Sequence, residues 1–167
     1  MNVWSVHIPT KQVSQVTNYP IDIDNLKLAP NKQFIAFSAE VYVNCFNTEA
    51  EKTVMDCTAA RDAEFGHRSP NTWRQFTKLM VYHWDRFEVE GRLSHIFYQP
   101  IVPSGQTQYT TKGNPVDIMQ GMNVRSPVYP DGGPEQIDIS PESNEIAYTG
   151  EVINERSAWF DFDMIFF

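Results

Sequence analysis

Most apolar residues of this chain lie in short runs rich in β-branched and aromatic side chains, and Pro, Gly, Asn and Asp separate the runs. Branched and aromatic side chains pack well on a pleated surface, whereas the separating residues favour turns. The pattern is typical of short β-strands rather than of helices. The sequence therefore predicts an all-β fold.

Two of these runs resemble each other at an offset of 111 residues: LKLAPNKQFIAFSAEVY (Leu26–Tyr42) and IDISPESNEIAYTGEVI (Ile137–Ile153). Each contains a proline, then an Ile-Ala pair, then a Glu-Val pair at matching positions. Because proline fixes the backbone of the first central turn residue, each copy predicts a strand, a turn and a second strand.

A second match runs at an offset of 93, between Val3–Thr17 and Ile96–Thr110, and the run MIFF at Met164–Phe167 resembles the start of a third copy. Repetition of four-stranded units indicates a β-propeller. The alternative is two similar hairpins that arose by chance in a β-sandwich.

We therefore expect a partial β-propeller of about two blades. In chain order, the predicted parts are the end of one blade (3–17), a complete blade (26–42 and 95–111) interrupted by an insertion at the rim (43–94), and the start of the next blade (137–167). Within the insertion, the charged stretch Glu49–Glu64 has helical propensity. The proline-rich stretch Lys112–Glu135 predicts a loop without regular structure.

Composition and charge exclude several classes of protein. The 167 residues include 21 acidic and 13 basic residues, which give a net charge of −8, together with 11 prolines and 8 glycines. This argues against a helical bundle and, since like charges repel, against nucleic acid or an anionic membrane as a partner. Apolar runs fall far short of the ~20 residues that span a bilayer, and no charged-then-apolar leader is visible. We expect no membrane span and no signal peptide.

Motifs that carry chemistry are few. The sequence contains no Gly-x-Ser-x-Gly nucleophile elbow, no phosphate-binding glycine loop and no Cys-x-x-Cys pair. His83, Asp85 and His95 match no familiar metal-ligand spacing, so we interpret His83-Trp84-Asp85 as a hydrogen-bonded structural turn. We expect no catalytic residue, no metal and no cofactor in this chain.

Cys45 and Cys57 are the only cysteines and lie twelve positions apart in the predicted insertion. They are candidates for a disulfide that closes a small loop, if the protein is exported to an oxidising compartment. The alternative is two buried free thiols.

Several segments together resemble the N-terminal β-propeller of dipeptidyl-peptidase V-like enzymes, the acylaminoacyl-peptidase-like branch of the prolyl oligopeptidase-type serine peptidases. In order, they are PIDIDNLKLAPNKQFIAFSAEVY, Cys45 and Cys57 with TAARD, KLMVYHWDRFEVEGRLSHIF, DIMQGMNVRSPVYPDGGPEQIDISPESNEIAYTGE and AWFDFDMIF. The most specific parts are His83-Trp84-Asp85 and Ser38–Tyr42.

In that family the propeller precedes an α/β-hydrolase domain with a Ser, Asp and His triad, and it covers the active site, filters substrates by size and helps to hold the peptide's amino end. The resemblance implies that this chain is a non-catalytic, substrate-gating fragment of a peptidase that removes N-terminal dipeptides. It implies a peptide partner only within the full-length enzyme, a possible partner chain that completes the propeller, and a secreted or periplasmic location.

The hairpin turns depart from the family pattern Ser-Pro-Asp-Gly. Here they read Ala29-Pro30-Asn31-Lys32 and Ser140-Pro141-Glu142-Ser143, so both glycines are replaced. Lys32 and Ser143 must either adopt or avoid a left-handed conformation, at a cost of about 1 kcal/mol per turn if they adopt it.

For contact with a peptide's amino end we propose Glu40 and Tyr42, because a carboxylate beside an aromatic ring can pair with an ammonium group. The alternative is that Glu40 only ends its strand at the rim, and Glu151 at the matching position of the second copy favours that alternative.

A different class of function is also open, namely a stand-alone β-rich module that binds another protein. Aromatic side chains are common in interface hot spots. Such residues are dense in and near the predicted insertion: Tyr82, Trp84, Phe87, Phe97 and Tyr98.

Overall fold

The fold was taken from a computed structural model, which describes residues 1–47, 53–67, 82–83, 86–87, 89–128, 131–153 and 162–166. The strands are β1 (Trp4–His7), β2 (Gln12–Gln15), β3 (Asp24–Leu28), β4 (Phe34–Tyr42), β5 (Tyr82–His83), β6 (Arg86–Phe87), β7 (Arg92–Ser104), β8 (Gln108–Thr111), β9 (Val116–Asp117), β10 (Val124–Arg125), β11 (Ile137–Ile139), β12 (Ile146–Val152) and β13 (Phe162–Phe166). The helix α1 spans Val54–His67, and short 3-10 segments lie at Val43–Asn47 and Pro134–Gln136. The predicted all-β class is confirmed, and the sheets form an open, propeller-like arrangement rather than a closed barrel.

The central sheet has the strand order β3-β4-β7-β8, with antiparallel neighbours throughout. Its long pair runs from Phe34 opposite Pro100 to Tyr42 opposite Arg92. Eight of the nine β4 residues are buried, as expected for a strand that is covered on both faces. The two predicted hairpins of the complete blade therefore lie side by side in one sheet, and the chain between β4 and β7 leaves it at one end.

The second sheet repeats this plan with β11, β12 and β13, and β10 pairs with the end of β12. Lys27 pairs with Ala36 and Leu28 with Ile35 in the first copy. In the second copy Asp138 pairs with Ala147 and Ile139 with Ile146. The two hairpins thus have the same register at the offset of 111 residues that the sequence shows.

Both proline turns adopt the left-handed conformation at their last residue, with φ of 59° at Lys32 and 60° at Ser143. The N–H of Lys32 donates to the carbonyl of Ala29 at 2.8 Å, and the N–H of Ser143 donates to the carbonyl of Ser140 at 2.8 Å. The turns keep the geometry that glycine favours although both glycines are replaced, so each turn carries a local conformational cost.

Replacing Lys32 by glycine is expected to raise the free energy of unfolding by about 0.5–1 kcal/mol, since glycine has no Cβ to disfavour positive φ. Ser143→Gly should gain less, because Ser143 Oγ accepts the N–H of Asn31 at 3.1 Å and this hydrogen bond is lost. Part of the gain is offset by the greater freedom of glycine in the unfolded chain. Urea denaturation of Lys32→Gly and Ser143→Gly measures the effect. Lys27→Gly in β3 is the matched control and should destabilise; destabilisation by all three would show that the turns store no strain.

The hairpin β1–β2 differs from its predicted counterpart in register. Its turn is closed by His7 opposite Gln12, whereas Ser104 opposite Gln108 closes the β7–β8 turn. Gln12 therefore corresponds to Gln108, whereas the offset of 93 residues matched Gln15 with it. The structure thus gives an offset of 96 residues at this position, so the expected register was wrong by three residues. The turns also differ in length by one residue, and a match of side-chain types alone does not locate them.

Two clusters of buried side chains form the core. The first lies on one face of β4 and β7 and includes Phe37 stacked on Phe97, with ring centroids 5.6 Å apart. The second joins the two sheets, and it comprises Ala29, Phe34, Ala36, Ile96, Met119, Val124, Ile137, Ile139, Ile146 and Tyr148. The repeated sheets therefore pack through residues of both copies.

Within the predicted insertion, the helical stretch expected at Glu49–Glu64 is the helix α1, and residues 48–52 lie outside the described chain. The helix begins after Thr53, whose Oγ1 accepts the N–H of Asp56 at 3.1 Å while Asp56 Oδ2 accepts the N–H of Thr53 at 3.0 Å. This reciprocal capping satisfies N–H groups at the first turn. In the described residues, no helix is long and apolar enough to cross a membrane.

Candidate functional site

Glu40 and Tyr42 lie at the C-terminal end of β4, where the chain turns toward α1. Across the sheet, Glu40 pairs with Ser94 and Tyr42 with Arg92 at the start of β7. The two side chains differ in exposure: 58% of the Glu40 side chain is accessible, whereas Tyr42 is buried at 4%. Glu40 is thus open to a ligand, and Tyr42 supports the site from beneath.

The helix α1 is attached directly to this strand end. Cys45 and Cys57 are joined by a disulfide with their Cα atoms 5.8 Å apart. One residue further along the helix, the buried Thr58 Oγ1 accepts the N–H of Tyr42 at 3.1 Å. These contacts hold the next helical turn, with Arg61 and Asp62, beside Tyr42.

Arg92 lies between two carboxylates. Its Nε is 3.5 Å from Glu40 Oε2 and its Nη1 is 3.2 Å from Asp62 Oδ2. Asp62 Oδ1 also accepts the hydroxyl of Tyr42 at 3.4 Å, and the Arg61 guanidinium lies 5.3 Å from the centre of the Tyr42 ring. Two acidic and two basic groups therefore converge on one buried tyrosine; we call this set, Glu40, Tyr42, Arg61, Asp62 and Arg92, the charged cluster.

The electrostatic environment keeps the Tyr42 hydroxyl protonated. Burial raises the pKa of Tyr42, and the nearby negative charge of Asp62 raises it further, while Arg92 and Arg61 act in the opposite direction. The hydroxyl consequently remains a hydrogen-bond donor to Asp62 at neutral pH, which fixes the orientation of that carboxylate.

A groove of about 340 Å³ opens next to the charged cluster. Its lining includes Asp62 and Arg92 together with residues of the segment before β3: Tyr19, Pro20, Ile21 and Asp22. Asp22 is paired with the terminal ammonium group of Met1, so a small cationic group in this groove would meet the carboxylate of Asp62. Glu40 does not line the groove but pairs with the same Arg92. The arrangement suits electrostatic recognition of a cation rather than bond-breaking chemistry.

A larger groove of about 840 Å³ lies between the two proline turns and is less suited to such recognition. Its walls combine apolar and aromatic side chains such as Phe34 and Tyr98 with the ammonium groups of Lys32 and Lys112 and the carboxylate of Glu145. Unlike the charged cluster, this groove presents a single carboxylate in its lining, and no buried tyrosine of the lining orients that carboxylate.

The remaining predicted residues are distributed as follows. His83 lies in β5, paired with Arg86, while Trp84 and Asp85 lie outside the described residues. His95 is buried and contacts Asp117, with its Nδ1 2.8 Å from Asp117 Oδ2. Within the part of the chain described, no group of three or more His, Cys, Asp or Glu residues is arranged to hold a metal ion.

Two of the aromatic residues proposed for a protein interface belong to the core. Phe97 is fully buried against Phe37, and Tyr98 is half-buried with its ring 4.8 Å from that of Phe34. In the short β5–β6 ladder, the backbone of Tyr82 pairs with that of Phe87. Trp84 lies outside the described residues.

The sequence did not reveal three residues of this region, namely Asp62, Arg92 and Thr58. A signal for Arg92 existed, since the predicted pairing of the two hairpins brings the start of β7 to the end of β4. Thr58 and Asp62 are four residues apart in a helix and so share a face. Which strand that face contacts depends on the fold of the insertion, and no local pattern reveals it.

The chain is similar to dipeptidyl-peptidase 4 of Giardia intestinalis, with 23% identity over 169 aligned residues. The alignment covers 98% of this chain and 22% of that protein, so the chain spans about a fifth of the length of the curated relative that it matches. No protein-family model and no solved structure matches the chain. The similarity gives a family-level indication of a peptidase-associated domain.

Proposed function

We propose that this chain is the substrate-gating propeller portion of a dipeptidyl-peptidase V-like serine exopeptidase and has no catalysis of its own. The similarity along nearly the whole chain supports a peptidase-associated domain, and the open, propeller-like arrangement of the sheets agrees with a propeller portion. In this proposal, a hydrolase domain elsewhere in the enzyme supplies the nucleophile, and the propeller admits peptides and orients them.

The observation that carries the proposal is the exposed Glu40 carboxylate beside the Arg92–Asp62 ion pair. A peptide's free amino end carries a positive charge and three N–H donors, which match carboxylate oxygens. Glu40 would pair with this ammonium group, and Asp62 would provide a second acceptor held by Tyr42. Arg92 keeps both carboxylates in place when no peptide is bound.

Glu40→Gln is expected to weaken the binding of dialanine amide by about threefold, in line with the 0.2–1 kcal/mol typical of an exposed ion pair. Dialanine amide carries the ammonium group and no carboxylate, so it isolates the proposed contact. Titration followed by NMR chemical shifts measures the affinity, and resonances of Glu40 and Arg92 should shift in the wild-type chain.

The controls are an exposed glutamate in the second proline turn, changed as Glu142→Gln, and N-acetylated dialanine amide, which lacks the charge. Glu142→Gln should bind as the wild type does, and the acetylated compound should bind neither protein. Equal binding of both compounds would contradict the ammonium site. Turnover of a chromogenic dipeptide substrate by the purified chain would contradict the non-catalytic role.

A further sheet is proposed to cover the outer face of β1–β2, supplied by the same longer polypeptide or by a partner chain. Trp4, Val6 and Val13 share this face and are 56%, 58% and 58% exposed, while Ser5 and Ser14 hydrogen-bond to each other on the opposite, half-buried face. An apolar outer face with a polar inner face is typical of an unpaired interface.

The disulfide supports the proposed secreted or periplasmic location, because such bonds persist mainly in oxidising compartments. The two cysteines lie twelve positions apart, both within the predicted insertion. The proposed peptidase would then act on extracellular or periplasmic peptides.

A further inference from the structure

The helix α1 has few apolar contacts with the sheet that it lies on. Among the α1 residues whose side chains are described, two are buried, Met55 and Thr58. Of these two, Met55 belongs to the first core cluster. Val54 and Ala59 are partly buried against the same cluster. A helix of this length is marginal in water by itself, so its position depends strongly on each attachment to β4.

The attachments lie one helical turn before the charged residues. Cys57 precedes Arg61 by four residues, and Thr58 precedes Asp62 by four, so each attachment point and charged residue share a face. The disulfide from Cys57 to Cys45 and the hydrogen bond from Tyr42 to Thr58 thus determine where Arg61 and Asp62 meet Tyr42 and Arg92.

We propose that the Cys45–Cys57 disulfide is a redox-sensitive positioning element for Asp62, and thereby for the ammonium-binding site. The expected effect on ligand binding rests on the proposed function, whereas the positioning of Asp62 by the disulfide does not depend on it. With the bond intact, Asp62 is held as the second acceptor; with the bond reduced, α1 leaves β4 and Asp62 leaves the site.

The chemistry is an exchange with a dithiol. Cys45 is fully buried while Cys57 is partly accessible, so the attacking thiolate bonds to the sulfur of Cys57 and the Cys45 thiolate is the leaving group. The second thiol of the reagent then displaces Cys57. Two electrons and two protons pass from the dithiol, which becomes a cyclic disulfide, to the two cysteine thiols.

The sheet is expected to survive reduction. The pairing of β4 with β7 extends over nine residues and involves neither cysteine, and most of the first core cluster comes from the sheet and the segment before it. After reduction Glu40 and Arg92 therefore remain paired across the sheet, while the site has lost one of its two carboxylates. The affinity for a cationic group falls without unfolding of the blade.

Hydrogen exchange with mass spectrometry, on the oxidised chain and on the chain reduced with dithiothreitol and alkylated, tests the positioning. Exchange in residues 54–67 should accelerate about tenfold or more on reduction, while exchange in 92–104 changes less than about twofold. The double variant Cys45→Ser/Cys57→Ser should match the reduced chain. Unchanged exchange in the helix, or equal acceleration in both segments, would overturn the proposal.

Binding of dialanine amide tests the consequence for the site. Reduction should weaken binding about threefold in the wild-type chain, and reoxidation should restore it. Asp62→Asn should bind weakly and equally in both redox states, because the positioned charge is absent. A redox effect that persists in Asp62→Asn would refute a role through Asp62. If oxidised wild-type chain binds no dialanine amide, the proposed function fails, and the exchange experiment alone decides the positioning.

Discussion

Replacing Phe37 by alanine is expected to lower the free energy of unfolding by about 3–5 kcal/mol, the usual cost of removing a fully buried aromatic side chain. Phe37 is 0% exposed in the middle of β4. Its ring stacks on Phe97 with an interplanar angle of 9° and lies 5.2 Å from the ring of Tyr19. The substitution therefore leaves a cavity at the point where the sheet meets the segment before β3.

Urea denaturation monitored by fluorescence measures this loss. Leu28→Ala is the matched control, since Leu28 is 55% exposed in the neighbouring strand and should cost less than about 1 kcal/mol. Phe97→Ala should cost nearly as much as Phe37→Ala, and the double variant should cost less than their sum because the rings contact each other. Equal small losses for Phe37 and Leu28 would contradict the location of the core.

The sequence predicted the repeated hairpins because their determinants are local. The proline sets the turn, and the following apolar run makes a strand whatever its neighbours are, so the copies at Leu26–Tyr42 and Ile137–Ile153 have equal registers. The strands β9 and β10 were missed, and Lys112–Glu135 was wrongly expected to lack regular structure. Each is two residues long and forms only because a longer strand presents a free edge, which depends on tertiary structure.

The candidate site was predictable only in part for the same reason. Glu40 and Tyr42 stood out as a carboxylate near an aromatic residue, but the burial of Tyr42 follows from α1 lying over it. Asp62 and Arg92 are 22 and 52 positions away from Glu40 in sequence. Their approach requires both the pairing of β4 with β7 and the attachment of the helix, and neither is encoded in a short motif.

The second large effect on the free energy of unfolding is expected at the buried pair of His95 and Asp117. Asp117 Oδ2 accepts the Nδ1–H of His95 at 2.8 Å, and Asp117 Oδ1 accepts the N–H of Met119 at 2.9 Å. The two side chains are 1% and 7% exposed. In the described residues, the Nε2 of His95 has no hydrogen-bond partner, so Asp117 is the acceptor on which this buried imidazole depends.

Asp117→Ala is therefore expected to lower the free energy of unfolding by about 3 kcal/mol, because it leaves a buried imidazole and a backbone N–H without acceptors. Asp117→Asn retains one carbonyl oxygen and should lose about half as much. Asp138→Ala is the control, since the exposed Asp138 accepts, among the described residues, only the N–H of its neighbour Ile139, and it should cost less than about 1 kcal/mol. If Asp117→Ala were as mild as this control, His95 would have to find another partner, and the pair would not stabilise the pairing of β9 with β7.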